Sequence, residues 1–192
     1  MKSQEIKGFV DPRLINTHML AAEKNGKPVL ACLQMKYTDR RLHLVTTNGR
    51  ILLHTSIGDS GPVLEDMPDF EVAVKITRKL KCKSDEIAIE FTIKDGKVFF
   101  KGVDSFDAFE VLQDKFPSYE TVEARDLARM PLERCVIVNP KYLEIVYEYV
   151  GEGEYVRPYS IGSSEYQPVF YKRRDDDHDE IREAYVMPIR VN

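Results

Sequence analysis

The chain has 192 residues, 43% of them apolar and 31% charged, which suffices for one domain with a full core and part of a second, or for two small domains, and argues against a disordered or fibrous protein. No run of about 18 apolar residues offers a membrane span, and the amino-terminal MKSQEIKGFV lacks the apolar core and cleavage site of a secretory signal, so a cytoplasmic protein with no membrane partner is expected. With 28 Lys and Arg against 32 Asp and Glu the net charge is −4, so bulk charge does not mark a nucleic-acid binder and any such role falls to a local basic patch.

In chain order, Asp11-Pro12 forms an N-cap and first-turn pair, and Leu14, Ile15, His18, Met19 and Ala22 recur at helical spacing until Asn25-Gly26, predicting a helix over 11–25. VLACLQMKY (29–37), LHLVTT (42–47) and ILLHTSI (51–57) are β-rich, divided by Thr38-Asp39-Arg40 and by the hairpin signal Asn48-Gly49. FEVAV (70–74) then reads as a strand, KITRKLKCK (75–83) as a short helix, and EIAIEFTI, KVFFKG and FDAFEVL as three more strands, with Lys94-Asp95-Gly96 turning the middle hairpin. Segment 123–132 reads as a linker. ERCVIV (133–138) leads into Asn139-Pro140, after which Tyr142, Leu143, Val146, Tyr147 and Val150 follow at helical spacing up to Gly151. YVRPYSI, QPVFYK and AYVMPIRV complete this part as strands, with the charged run 173–180 as a solvated loop. The expected organisation is an α+β protein of three successive β-α-β-β-β modules: two in 1–122, a linker at 123–132 and a third module in 133–192. Cys32, Cys82 and Cys135 stand far apart and give neither a disulfide framework nor a zinc site; buried or idle thiols are the plain reading.

Three separated motifs in this organisation resemble the bacterial sliding clamp, the beta subunit of DNA polymerase III. TTNGRILLHTSIG (46–58) is similar to the family's Thr-Asp-Gly-His-Arg-Leu segment, Phe116-Pro117-Ser118-Tyr119-Glu120-Thr121-Val122 to its Phe-Pro-Asp-Tyr-Arg-Arg-Val segment, and AYVMPIRV (184–191) to its carboxyl-terminal Val-Met-Pro-Met-Arg-Leu. The resemblance implies the DNA-clamp fold, with helices on one face of antiparallel sheets. Modules one and two resemble the family's middle domain and module three the second half of its last domain, so the chain reads as a shortened member, and ring closure requires another chain or a new packing of the half-domain. A family ring holds twelve modules, and four chains of three would supply them; a dimer completing the half-domain is the simpler arithmetic, so a homo-oligomer is expected.

The same resemblance implies two surfaces. Lys75, Arg78, Lys79, Lys81 and Lys83 put five positive charges and no negative one into nine residues; in the family, helices line a central hole and hold duplex DNA by its phosphates without reading bases. Arg13, Lys24 and Lys27 add to this face from the first helix, whereas the third helix carries Lys141 with Glu144 and Glu148 and is a poor DNA face. Read without the family, such a run is a solvated surface. The second surface is the groove into which clamp-binding peptides of polymerases and repair proteins insert. Its walls correspond here to Thr47, Gly49, Arg50 and Leu52, to Pro117, Thr121 and Val122, and to Tyr185, Val186, Met187, Pro188, Ile189 and Arg190. Apolar anchors with a polar rim suit such recognition, although Met187, Ile189 and Val191 also alternate as a closing core strand would. The family's Arg-Arg pair is Glu120-Thr121 here and its His-Arg pair is Arg50-Ile51, so the rim charge differs.

No catalytic constellation emerges. His18, His43 and His54 fall in the apolar stripe or strand patterns of structural histidines, and no phosphate loop, dinucleotide fingerprint, zinc-protease or nucleophile-elbow motif occurs. His178 sits within Asp175, Asp176, Asp177, Asp179 and Glu180, whose carboxylates offer oxygen ligands for a divalent ion, but such runs are usually solvated loops. The leading expectation is a non-enzymatic DNA tether without a cofactor. Its rivals are a ring-free adaptor that binds clamp-binding peptides without DNA, and a metal-dependent enzyme built on the acidic loop.

Overall fold

Ile6–Val10 forms a strand, β1, that the apolar pattern did not announce, and Asp11 then caps helix α1 (Pro12–Ala21). The Asp11 carboxylate accepts from the Arg13 N–H at 2.8 Å, and Pro12 occupies a first-turn position where no donor is needed. The structure, a computed structural model, describes residues 5–22, 27–58, 67–81, 83, 87–113, 116–117, 129–131, 138–150, 159–161, 168–177 and 179–188. α1 ends four residues before the predicted 25, and 23–26 lie outside the described residues.

The start of the strand predicted at 29 is instead a 3₁₀ turn, Pro28–Ala31, closed by Leu30 N–H donating to the Lys27 carbonyl at 2.9 Å; Pro28 has no ladder donor and suits the first position of a turn. Strands β2 (Leu33–Thr38), β3 (Arg41–Thr47) and β4 (Ile51–Ile57) follow. Asp39 and Arg40 both take positive φ (51° and 59°), the mirror-image turn that matches strand twist. Asp95 and Gly96 do the same between β6 (Ile89–Lys94) and β7 (Lys97–Lys101), which follow β5 (Phe70–Val74) and precede β8 (Phe106–Leu112).

The helix predicted at 75–83 does not form; its described residues run as an irregular segment. Cations at 75, 78, 79, 81 and 83 would meet as like charges three and four apart on a helix, each pair costing a few tenths of a kcal/mol, and a helix this short has little to offset that. Tertiary bonds hold the segment instead. The Asn16 side chain brackets Leu80, donating to its carbonyl at 3.0 Å and accepting from its N–H at 2.7 Å, while Ile76 and Leu80 enter the core beside Leu14 and Ile15 of α1.

Arg129–Pro131 forms strand β9 inside the segment read as a linker. Asn139 caps helix α2 (Pro140–Val150) by accepting from the Lys141 N–H at 3.0 Å, and β10 (Tyr159–Ile161), β11 (Val169–Asp175) and β12 (Glu180–Val186) follow. Of the strand predicted at 133–138 only Val138 is described, and it is not in a strand. Of the charged run read as a loop, Arg173, Arg174, Asp175 and Glu180 lie in strands, and Asp176, Asp177 and Asp179 lie in the turn between them. Arg173 and Arg182 stand opposite each other and both reach to the end of α2, donating to the Val150 and Tyr149 carbonyls at 2.8 Å each. The last turn of α2 has no basic residue of its own, and these two arginines supply the positive charge its carbonyls favour.

Among the described residues all pairings are antiparallel, in the order β1-β6-β7-β8-β5-β2-β3-β4-β12-β11-β10-β9. Modules one and two exchange their first strands, β1 pairing with β6 and β5 with β2, so neither closes alone. Module three joins through β12 against β4, from Glu180 opposite Ile57 to Val186 opposite Ile51, and through α2 against α1. At that seam Gly58 N–H donates to the Asp179 carbonyl at 3.0 Å, and a Cβ on Gly58 would lie 1.6 Å from the Asp179 carboxylate, which is held by Arg41. One core lies between α1 and the strands of modules one and two, and a second between both helices and β4, β11 and β12.

Candidate functional site

Strand alternation gives β4 and β12 two faces. Ile51, Leu53, Ala184 and Val186 pack under the helices, while Leu52 and Tyr185, opposite each other in register, turn to the other side. There they meet Phe116, Phe170, Val45, Cys32 and Ala73 in a separate apolar cluster. The three motif segments, 46–58, 116–122 and 184–191, thus each contribute one buried residue, Leu52, Phe116 and Tyr185, to one site. Met187 N–H donates to the Arg50 carbonyl at 2.8 Å, extending the β4–β12 ladder past its last strand pair.

Around this floor Arg50, Pro117 and Met187 are exposed, Met187 at 40%. Gly49 takes φ +82° with open space where a Cβ would stand, and Pro188 is half-buried. Thr47 is buried and braces the hairpin, its hydroxyl donating to the Ile51 carbonyl and accepting from Gly49 N–H. Val186, expected as a wall of this groove, lies between Tyr185 and Met187 and points by alternation into the helix-side core instead. Thr121, Val122, Ile189 and Arg190 lie outside the described residues. Sequence reasoning missed Val45, Phe170 and Phe116 as floor residues; alternation from Leu52 and Tyr185 points to the right face, but only the register supplies the neighbours.

A polar group adjoins the apolar floor on the same face. His43 and His54 stack at 5.3 Å between ring centroids, with His43 Nδ1 3.0 Å from His54 Nε2. His54 Nδ1 lies 3.5 Å from Glu183, which also pairs with Lys172 at 3.2 Å and accepts from the Tyr185 hydroxyl at 3.2 Å. Burial pushes the Glu183 carboxyl up, but His54 and Lys172 more than offset it and bring it to about 2. On the helix side, buried His18 is saturated in its neutral form. Its Nδ1 meets Thr46, whose own hydroxyl donates to the His18 carbonyl, and its Nε2 meets the Thr55 hydroxyl at 2.9 Å, which in turn meets Tyr149 at 2.7 Å.

In the basic segment Lys75, Arg78, Lys79, Lys81 and Lys83 are all exposed, on the same side of the sheet as α1. They are not equivalent. Arg78 pairs with Asp107 at 2.6 Å and lies over the Phe109 ring, and Lys83 pairs with Asp104, so two of the five charges are matched locally. Arg13 is likewise held by Asp11; Lys27 is exposed, and Lys24 lies outside the described residues. α2 exposes Lys141 with Glu144 and Glu148. The acidic run is a set of ion pairs, Asp175 with Arg173, Asp176 with Arg174, Asp179 with Arg41 and Glu180 with Arg182. Among the described residues no cluster of three or more His, Cys, Asp or Glu is arranged to hold a metal ion, and no helix is long and apolar enough to cross a membrane.

Solved structures match this arrangement along almost its whole length. The DNA polymerase III subunit beta from Pseudomonas aeruginosa superposes with a TM-score of 0.69 over 97% of this chain at 14% identity. The chain has the clamp fold. The DNA polymerase III beta subunit from Thermotoga maritima aligns over 100% of the chain at 15% identity and a TM-score of 0.67, and the H. pylori beta clamp over 100% at 10% identity and 0.70. No family model and no curated protein sequence matches the chain. The chain spans about two thirds of these clamp-fold proteins, 66%, 67% and 68% of their respective lengths.

Proposed function

We propose that the chain is a non-enzymatic, cytoplasmic clamp-like tether that holds duplex DNA without sequence preference and recruits partner proteins by short peptides docked over Leu52 and Tyr185. The observation that carries this reading is the meeting of the three motif segments at one apolar floor with an exposed rim, on a clamp fold. A tether of this kind raises local concentration at the template and needs no chemistry. Self-association belongs to the same reading: a family ring holds twelve modules, and several copies of a three-module chain would be needed to supply them.

The DNA half rests on Lys75, Lys79 and Lys81, exposed on the helix side. Reversing Lys79 and Lys81 to Glu is expected to abolish duplex binding measured by fluorescence anisotropy, and the parent should show a log-log salt slope of about −0.9 per phosphate neutralised with no base preference. Binding that survives the double reversal removes this half. Arg78 is left in place because its loss strands the buried Asp107.

The pocket half is tested with peptides selected from a random display library on the immobilised chain. Met187→Ala is expected to weaken a selected peptide several-fold while leaving the melting temperature unchanged, because the side chain is part-exposed. Leu52→Ala should weaken it further and also destabilise the chain by about 2–4 kcal/mol. Unchanged affinity in both variants removes the pocket. The local matching of Arg78 by Asp107 and Lys83 by Asp104 favours one alternative, the ring-free adaptor that keeps the pocket and does not hold DNA; retained peptide binding with no duplex binding in the parent selects it.

A further inference from the structure

The last strands of modules one and two hold the same place, β4 beside β3 and β8 beside β7, but their outer edges are used differently. β4 takes β12 of the third module along its full length, from Ile51 to Ile57. Among the described residues β8 takes only the end of β5, at Val111 and Leu112, and no strand pairs with the stretch from Phe106 to Ala108. We propose that this stretch is a docking edge for a second copy of the chain, two β8 strands pairing antiparallel about a two-fold axis at Asp107.

The direction of the backbone groups follows from the ladder. Gly102 N–H donates to the Ser105 carbonyl and Val111 N–H to the Gly96 carbonyl, so the odd-numbered residues of β8 face β7 and the even-numbered ones face away. Lys75 N–H, donating to the Glu110 carbonyl from the β5 side, has the same parity. Phe106 and Ala108 therefore each aim an N–H and a carbonyl into the open edge. With the axis at Asp107, Phe106 stands opposite Ala108 of the second copy, and each such pair exchanges hydrogen bonds in both directions.

The side chains suit that register. Phe106 is 66% exposed and stacks on Phe99 at 5.9 Å, and Ala108 is exposed on the same outer face. A large ring then faces a small methyl across the axis, whereas an axis at Phe106 or at Ala108 would set ring on ring or methyl on methyl. On the other face the axis brings two Asp107 carboxylates together, each already held by its own Arg78 at 2.6 Å, so no bare carboxylate meets another. The ladder ends where Lys75 occupies Glu110, and a contact this short is weak and concentration-dependent.

Such an axis runs perpendicular to the sheet and keeps both helix sides on one face, so Lys75, Lys79 and Lys81 of the two copies share that face. The edge rests on the self-association in the proposed function and gives it a surface; on the DNA reading, pairing also adds a second set of phosphate contacts.

Sedimentation velocity of the full chain from about 1 to 100 µM is expected to show association that rises with concentration. Ala108→Pro removes one outward N–H and leaves the β7 ladder intact, and Phe106→Lys puts a cation in the apolar strip; each is expected to weaken association by about tenfold or more with an unchanged melting temperature. Amide exchange at Phe106 and Ala108 should be slower by about tenfold at the high concentration, while Asp107 and Phe109, bonded to β7, are equally protected at both. A parent that stays a single chain throughout overturns the edge and the self-association together. Association undiminished in both variants overturns the edge alone and puts self-association elsewhere. Should Ala108→Pro not fold, Phe106→Lys and the exchange alternation decide, and exchange at Phe106 and Ala108 that is independent of concentration overturns the proposal.

Discussion

Tyr149→Ala is expected to destabilise the chain by about 3–5 kcal/mol, the range for deleting a large buried aromatic. Tyr149 is fully buried on α2, packs edge-on against His18 of α1 at 5.2 Å, and donates to Thr55 of β4 at 2.7 Å. It therefore joins both helices and the seam strand. Removing the ring opens a cavity among Ala21, Leu53 and Val146, and leaves the Thr55 hydroxyl short of one partner in a dry site. Tyr149→Phe keeps the ring and loses only the bond, for about 1 kcal/mol. Urea unfolding of both variants measures the difference, and a Tyr149→Ala cost below about 1 kcal/mol would mean that α2 does not pack on α1 as described.

Stability is expected to fall as the solution is acidified below about pH 6.5, the ordinary histidine value. Burial, reinforced by the nearby charges of His54 and Arg182, holds the His18 pKa well below that value. The unfolded chain therefore binds a proton in this window that the folded chain refuses, and stability drops with falling pH by at most about 1.4 kcal/mol per unit for this one group. Above pH 6.5 the contribution is complete. Glu183 adds a lower window: its carboxyl is held at about 2 against an ordinary 4.5, so its contribution is present above 4.5 and is lost as pH falls toward 2. Denaturant midpoints of the parent and of His18→Gln from pH 8 to pH 4 isolate the first effect, since the difference between the two curves removes every other titrating group. Parallel curves would show that His18 is not held neutral.

Much of the fold was legible because local chemistry and tertiary structure agree. Asp11-Pro12 and Asn139-Pro140 start helices wherever they stand, since the cap bond is made within two residues. Asp39-Arg40 and Asp95-Gly96 turn hairpins whose strand periods match on both sides. The predicted helix at 75–83 failed because its apolar spacing is real, with Ile76 and Leu80 both buried, yet the same spacing serves an irregular segment pinned by Asn16. The charged run 173–180 was read as solvated because its partners, the α2 carbonyls and Arg41, are remote in sequence.

The residues of the docking face divide in the same way. Leu52, Gly49, Arg50, Tyr185 and Met187 were named from motifs, and Val186 was named with them although alternation sends it to the opposite side. By itself the sequence determined what local interactions decide: the capped helix starts, the tight turns and the alternation within each strand. The exchange of β1 and β5 between modules, the pairing of β12 with β4, and the meeting of His43, His54 and Glu183 were decided only by the tertiary structure. Each depends on register between segments far apart in the chain, where a shift of one residue would turn every side chain to the other face.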